Sequence, residues 1–149
     1  MDRVDTAESL FLARNSCSQA VACAFASVVG LDEREAMRLA SGFGGGMRIG
    51  GACGAATGAV LILGLAFDGD DDAGGRKRVM AEVETFYASF RDRVGAIDCP
   101  AILGCDFRSP EGRDFMNEHG LREARCLPAV RAAAQILDEM LESDEFRES

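Results

Sequence analysis

The stretch that decides the fold runs from residue 52 to residue 67 and reads ACGAATGAVLILGLAF. It carries no charged side chain, and apolar residues on every side are typical of a helix that is buried all round. It is shorter than the roughly 20 residues that a membrane-spanning helix needs, so a membrane span is the weaker interpretation. Gly54 and Gly58 lie four residues apart on one helix face, which lets a neighbouring helix pack backbone against backbone. We therefore predict a central buried helix.

The rest of the chain shows helical periodicity and almost no period-two alternation. We predict an all-α fold: a single domain over residues 1–149, built as a bundle of about six to eight helices around helix 52–67. The other expected helices are 5–13, 15–29, 33–41 and 76–94, a short one opening at 98–100, another at 109–111, and a last one from about 125 to 142. Residues 68–75 read DGDDDAGG and are expected to form a solvated acidic loop, because their spacing does not match a calcium-binding loop.

The 149-residue chain has 16 basic and 25 acidic side chains, and its formal net charge is −9. A nucleic-acid partner is therefore not expected, because phosphate backbones are bound by clustered Lys and Arg. The chain begins MDRVDTAE, without the basic and apolar segments of a secretory signal, so we expect a cytoplasmic protein. In that reducing compartment the six cysteines are more often metal ligands or catalytic groups than structural disulfides.

Four of the six cysteines fall at predicted helix starts, and these are Cys17, Cys53, Cys99 and Cys126. A helix start presents unpaired N–H groups and the positive end of the helix dipole, and both stabilise an anion. A thiol placed there loses its proton more easily, and the thiolate is both the nucleophile and the metal ligand of cysteine chemistry. Cys23 lies inside a predicted helix and is expected to pack as a small apolar residue. Cys105 follows a predicted helix end and is expected to be a spare thiol.

A glycine-rich loop over residues 42–51 leads towards Cys53. It matches neither a dinucleotide-binding GxGxxG motif nor a P-loop, since Ala52 and Cys53 stand where the lysine and the Ser/Thr of a P-loop would be. Arg48 is the one cation of this loop, and it could lower the pKa of Cys53 or hold an acidic ligand. Backbone N–H groups of the loop would line a substrate site beside the thiol, and the glycines concerned are Gly45, Gly46 and Gly51. The alternative is a tight helix connection with a solvated arginine.

The spacing of the cysteines excludes several familiar chemistries. No C-x-x-C occurs in the sequence, so a thioredoxin-type motif, a zinc knuckle and a covalent haem site are all excluded, and ferredoxin spacings are missing as well. The single histidine, His119, lies in the polar stretch NEHG and is expected at the surface rather than as a base. A joint site of the four cysteines can therefore be assembled only by the fold.

The run CGAATG at residues 53–58, preceded by SGFGGGM at residues 41–47, resembles the C_GCAxxG_C_C family of small bacterial and archaeal proteins described as redox-active. The resemblance extends over nearly the whole chain. NSCSQAV at residues 15–21 resembles the family's Asn-Cys-x-x-Ala-Val start, and CPAILG at residues 99–104 resembles its Cys-x-x-Leu-Leu-Gly segment. The family's four cysteines fall on the same positions that the helix-start argument selects.

The resemblance implies a redox-active protein and names no substrate. The residues favour a thiol-disulfide oxidoreductase in which Cys53 attacks an oxidised substrate and another of the four cysteines resolves the mixed disulfide. The partner would be a redox protein or a small thiol or disulfide, and the sequence leaves the oligomeric state open. One alternative is zinc or an iron–sulfur cluster held by the same four thiolates. Another is a helical binding module whose cysteines are inert.

Overall fold

The computed structural model describes residues 1–67 and 73–142, and helices dominate this part of the chain. In chain order they are α1 (Arg3–Leu12), α2 (Cys17–Phe25), α3 (Glu33–Leu39), α4 (Gly54–Phe67), α5 (Ala73–Val94), α6 (Cys99–Leu103), α7 (Pro110–Glu118) and α8 (Leu127–Leu141). The described residues contain no β-strand, only an isolated bridge between Ala52 and Asp98. The all-α prediction is confirmed. No helix within these residues combines the length and the apolar character that crossing a membrane requires.

The helix ends follow the local chemistry of the sequence. Before α2, the Ser16 hydroxyl accepts the N–H of Gln19, and the Gln19 side chain accepts the N–H of Ser16, a reciprocal cap that satisfies two otherwise unpaired donors. The Asp32 carboxylate accepts two N–H groups in the first turn of α3. The predicted helix 15–29 is α2 followed by the tighter 3₁₀ turn Ala26–Val29, and Gly30 ends that turn in a left-handed conformation.

The structure describes only the last three residues of the predicted acidic loop 68–75. Residues 68–72 lie outside the described residues. Residues 73–75 belong to α5, which begins at Ala73 rather than at Arg76 as predicted, so this part of the prediction is wrong. Glycine disfavours a helix by only about 1 kcal/mol relative to alanine, and the first turn of the long helix α5 accommodates Gly74 and Gly75.

Helix α4 lies at the centre of the helical packing, as its sequence predicts. It packs against α2, α5 and α8. Its apolar residues Ile62, Leu63 and Phe67 are buried, whereas Leu65 is 52% exposed. The core is completed by aromatic side chains of the neighbouring helices, which are Phe11, Phe25, Phe86 and Phe90.

The closest approach in the core joins α2 to the glycine face of α4. A Cβ added at Gly58 would lie 2.6 Å from the carbonyl oxygen of Ser18, and one added at Gly54 would lie 3.3 Å from the Cβ of Cys17. Ser18 is fully buried, and its hydroxyl donates to the Ala40 carbonyl at 2.8 Å. The predicted backbone-to-backbone packing is therefore confirmed. It places the first turn of α2 directly beside the first turn of α4.

Candidate thiol site

A short extended pairing holds the backbones of two cysteines together. The Cys53 N–H donates to the Ile97 carbonyl at 2.8 Å, and the Cys99 N–H donates to the Gly51 carbonyl at 2.8 Å. These two bonds flank the isolated bridge between Ala52 and Asp98. The residue that precedes α4 and the first residue of α6 are thereby fixed side by side, although a long segment of chain separates them.

Three of the four helix-start cysteines meet in one cluster. Cys17 is the first residue of α2, and the pKa values of Cys17, Cys53 and Cys126 are shifted by one another. Cys53 directly precedes α4 and Cys126 directly precedes α8, so three helix starts converge on these sulfurs. All six cysteines are free. Cys99 begins α6 and interacts with Cys53 and Cys126 through charge rather than through a hydrogen bond.

The hydrogen bonds within this cluster separate the pKa values of its thiols. Cys17 is the donor, first to Cys126 and then to Cys53, and these two bonds together with burial raise the pKa of Cys17 well above its ordinary value. The bond from Cys17 is the main cause that lowers the pKa of Cys53, with further help from the N–H groups of Ala55 and Ala56. A thiol has a single hydrogen, so Cys17 can donate to only one of Cys53 and Cys126 at a time.

Cys126 has an additional stabilising charge in Arg122. The pKa of Cys126 is lowered mainly by the bond from Cys17 and further by the positive charge of Arg122, while burial and the Cys53 charge oppose both. Arg122 is held in place by two hydrogen bonds from its Nη2, to the carbonyls of Phe11 at 2.9 Å and Asn15 at 3.0 Å. Its guanidinium also lies 3.7 Å from the centre of the Phe11 ring. The cation beside Cys126 is therefore fixed by the end of α1.

The pKa of Cys99 is shifted in the opposite direction to the pKa values of Cys53 and Cys126. Burial is the first cause that raises the pKa of Cys99 to about 12, and the negative charges of Cys53 and Cys126 add to it. At neutral pH this side chain is a protonated thiol. It is a poor nucleophile in that state, because the thiolate is the reactive form.

Three of the helix-start cysteines line one cavity of about 280 Å³, namely Cys17, Cys99 and Cys126. Its wall is completed by apolar and small residues of the glycine loop, α1 and α7, and by the two arginines Arg48 and Arg122. Cys53 is only 4% exposed and is not among the lining residues. A molecule in the cavity would therefore contact Cys17, Cys99 and Cys126 rather than Cys53.

The glycine loop forms one wall of this cavity and approaches its neighbours closely, as predicted. A Cβ added at Gly45 would lie 2.4 Å from the Phe107 ring. Residues 45–48 all have positive φ, which places Met47 and Arg48 in the left-handed region, and such a conformation costs an L-residue roughly 1–2 kcal/mol. The Gly51 N–H donates to the Gly46 carbonyl at 2.9 Å. Of the three glycines predicted to line a substrate site, Gly45 lines the cavity, whereas Gly46 and Gly51 close the turn.

Arg48 is not among the groups that shift the pKa of Cys53, which was one of the two roles that the sequence predicts for it. Its guanidinium lies 4.9 Å from the centre of the Phe107 ring at the cavity wall. The groups that lower the pKa of Cys53 are Cys17 and two N–H groups at the start of α4. The cation that acts on a thiol is Arg122, and the thiol on which it acts is Cys126.

The remaining cysteines and the histidine lie apart from the cluster. Cys23 is 7% exposed in α2, and its thiol donates to the Glu33 carbonyl at 3.7 Å, in agreement with a packing role. Cys105 is half-buried and donates to the Gly112 carbonyl at 3.5 Å. His119 is exposed and stacks on Phe115 with ring centres 4.2 Å apart.

The arrangement of the sulfurs bears on the alternative of a metal or cluster site. Within residues 1–67 and 73–142, no group of three or more His, Cys, Asp or Glu side chains is placed to hold a metal ion. The metal or cluster alternative stays a prediction.

Sequence analysis missed Arg122 and Phe107. Arg122 lies four residues before Cys126 in a helical turn, Arg122–Cys126, that runs into α8, and residues four apart face the same side of a helix. That spacing could have indicated that Arg122 lies beside Cys126. Phe107 lies in an irregular segment between α6 and α7, and nothing in its neighbourhood in the sequence indicates that it meets Gly45 and Arg48.

Comparison with known proteins gives one match. The model of the family described as "Putative redox-active protein (C_GCAxxG_C_C)" matches residues 15–140, a span that includes the whole thiol cluster and the cavity apart from Phe11. Neither the curated proteins nor the solved structures contain a significant match to the chain.

Proposed function

Because the chain belongs to the C_GCAxxG_C_C family, we propose that it is a thiol-disulfide redox protein in which Cys126 attacks the substrate and Cys17 resolves the mixed disulfide. The observation that carries this proposal is that Cys17 and Cys126, each at a helix start, line the same cavity, and the pKa of each responds to the other. Arg122 beside Cys126 favours the thiolate at the sulfur that lines the cavity.

The proposed reaction transfers two electrons from two thiols to one disulfide. The Cys126 thiolate attacks one sulfur of the substrate disulfide, a new S–S bond forms, and the first half of the substrate leaves as a thiolate. Cys17 gives its proton to that leaving group and becomes a thiolate itself. It then attacks the Cys126 sulfur, which releases the second half of the substrate as a thiolate that takes a proton from water. The protein is left with a Cys17–Cys126 disulfide, and a dithiol reductant would restore it.

Cys53 is assigned a second step rather than the first. The sequence predicts the attack from Cys53, but Cys53 is 4% exposed and does not line the cavity. We assign its thiolate the attack on Cys17 in the newly formed disulfide. That exchange would move the bond to Cys17–Cys53 and free Cys126, with no net change in oxidation state.

The test is the reaction of the reduced protein with bis(2-hydroxyethyl) disulfide, followed by alkylation and peptide mapping. We expect two thiols to be lost per chain and one disulfide to appear that contains Cys17. Cys126→Ser should react at least about tenfold more slowly, because the remaining thiols are buried or protonated. Cys17→Ser should stop at a mixed disulfide on Cys126. Cys105→Ser is the matched control, since it removes one thiol outside the cluster, and it should react like the wild type.

Two outcomes would overturn the proposal. In the first, Cys126→Ser reacts as fast as the wild-type protein. In the second, protein purified without oxygen contains stoichiometric zinc or iron bound through these cysteines, which would replace the redox function with the metal-site alternative. Alkylation of Cys126 as a function of pH gives an independent check. Its midpoint should lie below that of a free cysteine, and Arg122→Gln should raise the midpoint because the favourable charge is lost.

A further inference from the structure

The cavity beside Cys126 has a charge that is opposite to that of the chain. The protein carries a formal net charge of −9, yet the described residues that line this cavity include Arg48 and Arg122 and no aspartate or glutamate. Guanidinium groups favour carboxylate or phosphate partners because their N–H donors are arranged as a fork. The cavity would therefore stabilise an anion beside the thiol cluster.

Arg122 retains donors for a ligand although it is firmly held. Its Nη2 is used by the carbonyls of Phe11 and Asn15. In the described part of the chain its Nε and Nη1 make no hydrogen bond, and no carboxylate lies within ion-pair distance of it. An arginine has five N–H donors, so three of them are available. Its fixed position means that little side-chain entropy would be lost when a ligand binds.

Arg48 is the second cation in the cavity wall that could bind an anion, and its backbone is strained. Some arginines of the described chain have carboxylate partners, as in Arg38 with Glu35 and Arg93 with Glu139. Arg48 instead lies over the Phe107 ring at 4.9 Å and has no carboxylate partner among the described residues. Its left-handed conformation, with φ +66°, is the kind of strain that persists where the surrounding structure fixes it and that clusters at ligand sites.

We propose that the cavity binds a small disulfide that carries a carboxylate group, with the carboxylate at Arg48 and Arg122 and the S–S bond at Cys126. This inference rests on the proposed function and specifies its substrate class. The volume of about 280 Å³ corresponds to roughly nine water molecules, which suits a low-molecular-weight disulfide rather than a folded protein domain. The apolar part of the wall, which includes Phe11, Leu103 and Met116, would contact the carbon chain between the carboxylate and the sulfur.

The experiment compares three disulfides of similar size and different charge: dithiodiglycolate, which is anionic, bis(2-hydroxyethyl) disulfide, which is neutral, and cystamine, which is cationic. The rate of each is measured with the reduced protein and with a small neutral thiol, 2-mercaptoethanol. The free thiol gives the intrinsic reactivity of each disulfide. After division by that value, we expect the anionic disulfide to be favoured over the neutral one by about tenfold, as a charge-assisted hydrogen bond at each guanidinium would provide.

Variants locate the source of this preference. Arg48→Gln should lower the anionic preference, taken as the ratio of the normalised rates with the anionic and the neutral disulfide, by several-fold. Arg122→Gln should lower it as well, but it also removes the two bonds to the end of α1, so its folding is checked by thermal unfolding. Arg38→Gln is the control, because it removes the same charge from an exposed ion pair on α3 outside the cavity. It should leave the preference unchanged.

The outcomes separate this inference from the proposed function. If none of the three disulfides oxidises the cluster, the proposed function fails and this inference fails with it. If all three react in the order seen with the free thiol, the redox function stands and the anion-binding cavity is refuted. A preference that is lost equally in Arg38→Gln and Arg48→Gln would also refute it, because the effect would then come from overall charge rather than from the cavity.

Discussion

The contact between Gly58 and Ser18 makes a sharp prediction about how the helical packing holds the thiol cluster. In Gly58→Ala the new Cβ would lie 2.6 Å from the Ser18 carbonyl oxygen and 3.0 Å from the Ser18 Cα. Both are backbone atoms of α2, so no flexible side chain can move aside. α2 must shift away from α4, or α4 must bend. Cys17 precedes Ser18 in the chain, so the same shift separates Cys17 from Cys53.

Gly64→Ala is the matched control for this change. Gly64 lies in the same helix, and a Cβ added there meets nothing within 4 Å. Both variants gain the helix preference of alanine over glycine, about 1 kcal/mol. The difference between them therefore isolates the contact with Ser18, and overpacking of this kind lowers the free energy of unfolding by about 1–3 kcal/mol. For a chain of this size, that corresponds to a difference in melting temperature of roughly 2–12 °C.

The measurement is thermal or denaturant unfolding of both variants, with the alkylation rate of Cys53 and Cys126 as a second readout. We expect Gly64→Ala to be at least as stable as the wild type. Gly58→Ala should be less stable and should show changed thiol reactivity. Equal stability of Gly58→Ala and Gly64→Ala would refute the argument that α2 and α4 pack backbone against backbone at Ser18.

Three further predictions concern single side chains. Burial raises the pKa of Cys99 to about 12, so this thiol ionises at lower pH in the unfolded chain than in the folded protein. The free energy of unfolding should therefore fall as the pH rises from about 8.5 towards 12. Cys99→Ser should make this fall less steep in denaturant titrations at several pH values. Ser18→Ala removes the buried hydrogen bond to the Ala40 carbonyl and should lower the free energy of unfolding by about 0.5–1.5 kcal/mol. Ser41→Ala is its control, because it loses an exposed hydroxyl-to-carbonyl bond and should change the free energy of unfolding by less than about 0.5 kcal/mol. Ser16→Ala removes the cap of α2 and should cost about 0.5–2 kcal/mol, measured by thermal unfolding.

Much of the fold could be predicted because its determinants are local. The caps at Ser16 and Asp32 depend on side chains within three residues of the groups they satisfy, and the burial of helix 52–67 depends on its own composition. The placement of cysteines at helix starts followed from the same local rules, and four were placed correctly in this respect. Helix-start chemistry is weaker at Cys126 than expected, since the Leu127 N–H already donates to the Arg122 carbonyl in the preceding turn.

The composition of the cluster could not be predicted from the sequence, because it depends on contacts between distant segments. No feature of the sequence near Cys17 indicates that it interacts with Cys53 and Cys126 more directly than Cys99 does. The charge next to the reactive sulfur was assigned to Arg48 because it is the cation nearest to Cys53 in the glycine loop. The fold instead places Arg48 over the Phe107 ring and brings the charge of Arg122 to Cys126.

The meeting of Cys17 with Cys126 also joins the two ends of the folded chain. A disulfide between them would close a loop of roughly 110 residues, and the chain-entropy model assigns such a loop about 4.7 kcal/mol of stabilisation through the unfolded state. The same free energy enters the reduction of the bond with opposite sign, because reduction releases the constraint. The reduction potential of such a disulfide would thus be linked to the folding equilibrium. A mutation far from the sulfurs that loosens the helical packing would shift the potential as well as the melting temperature.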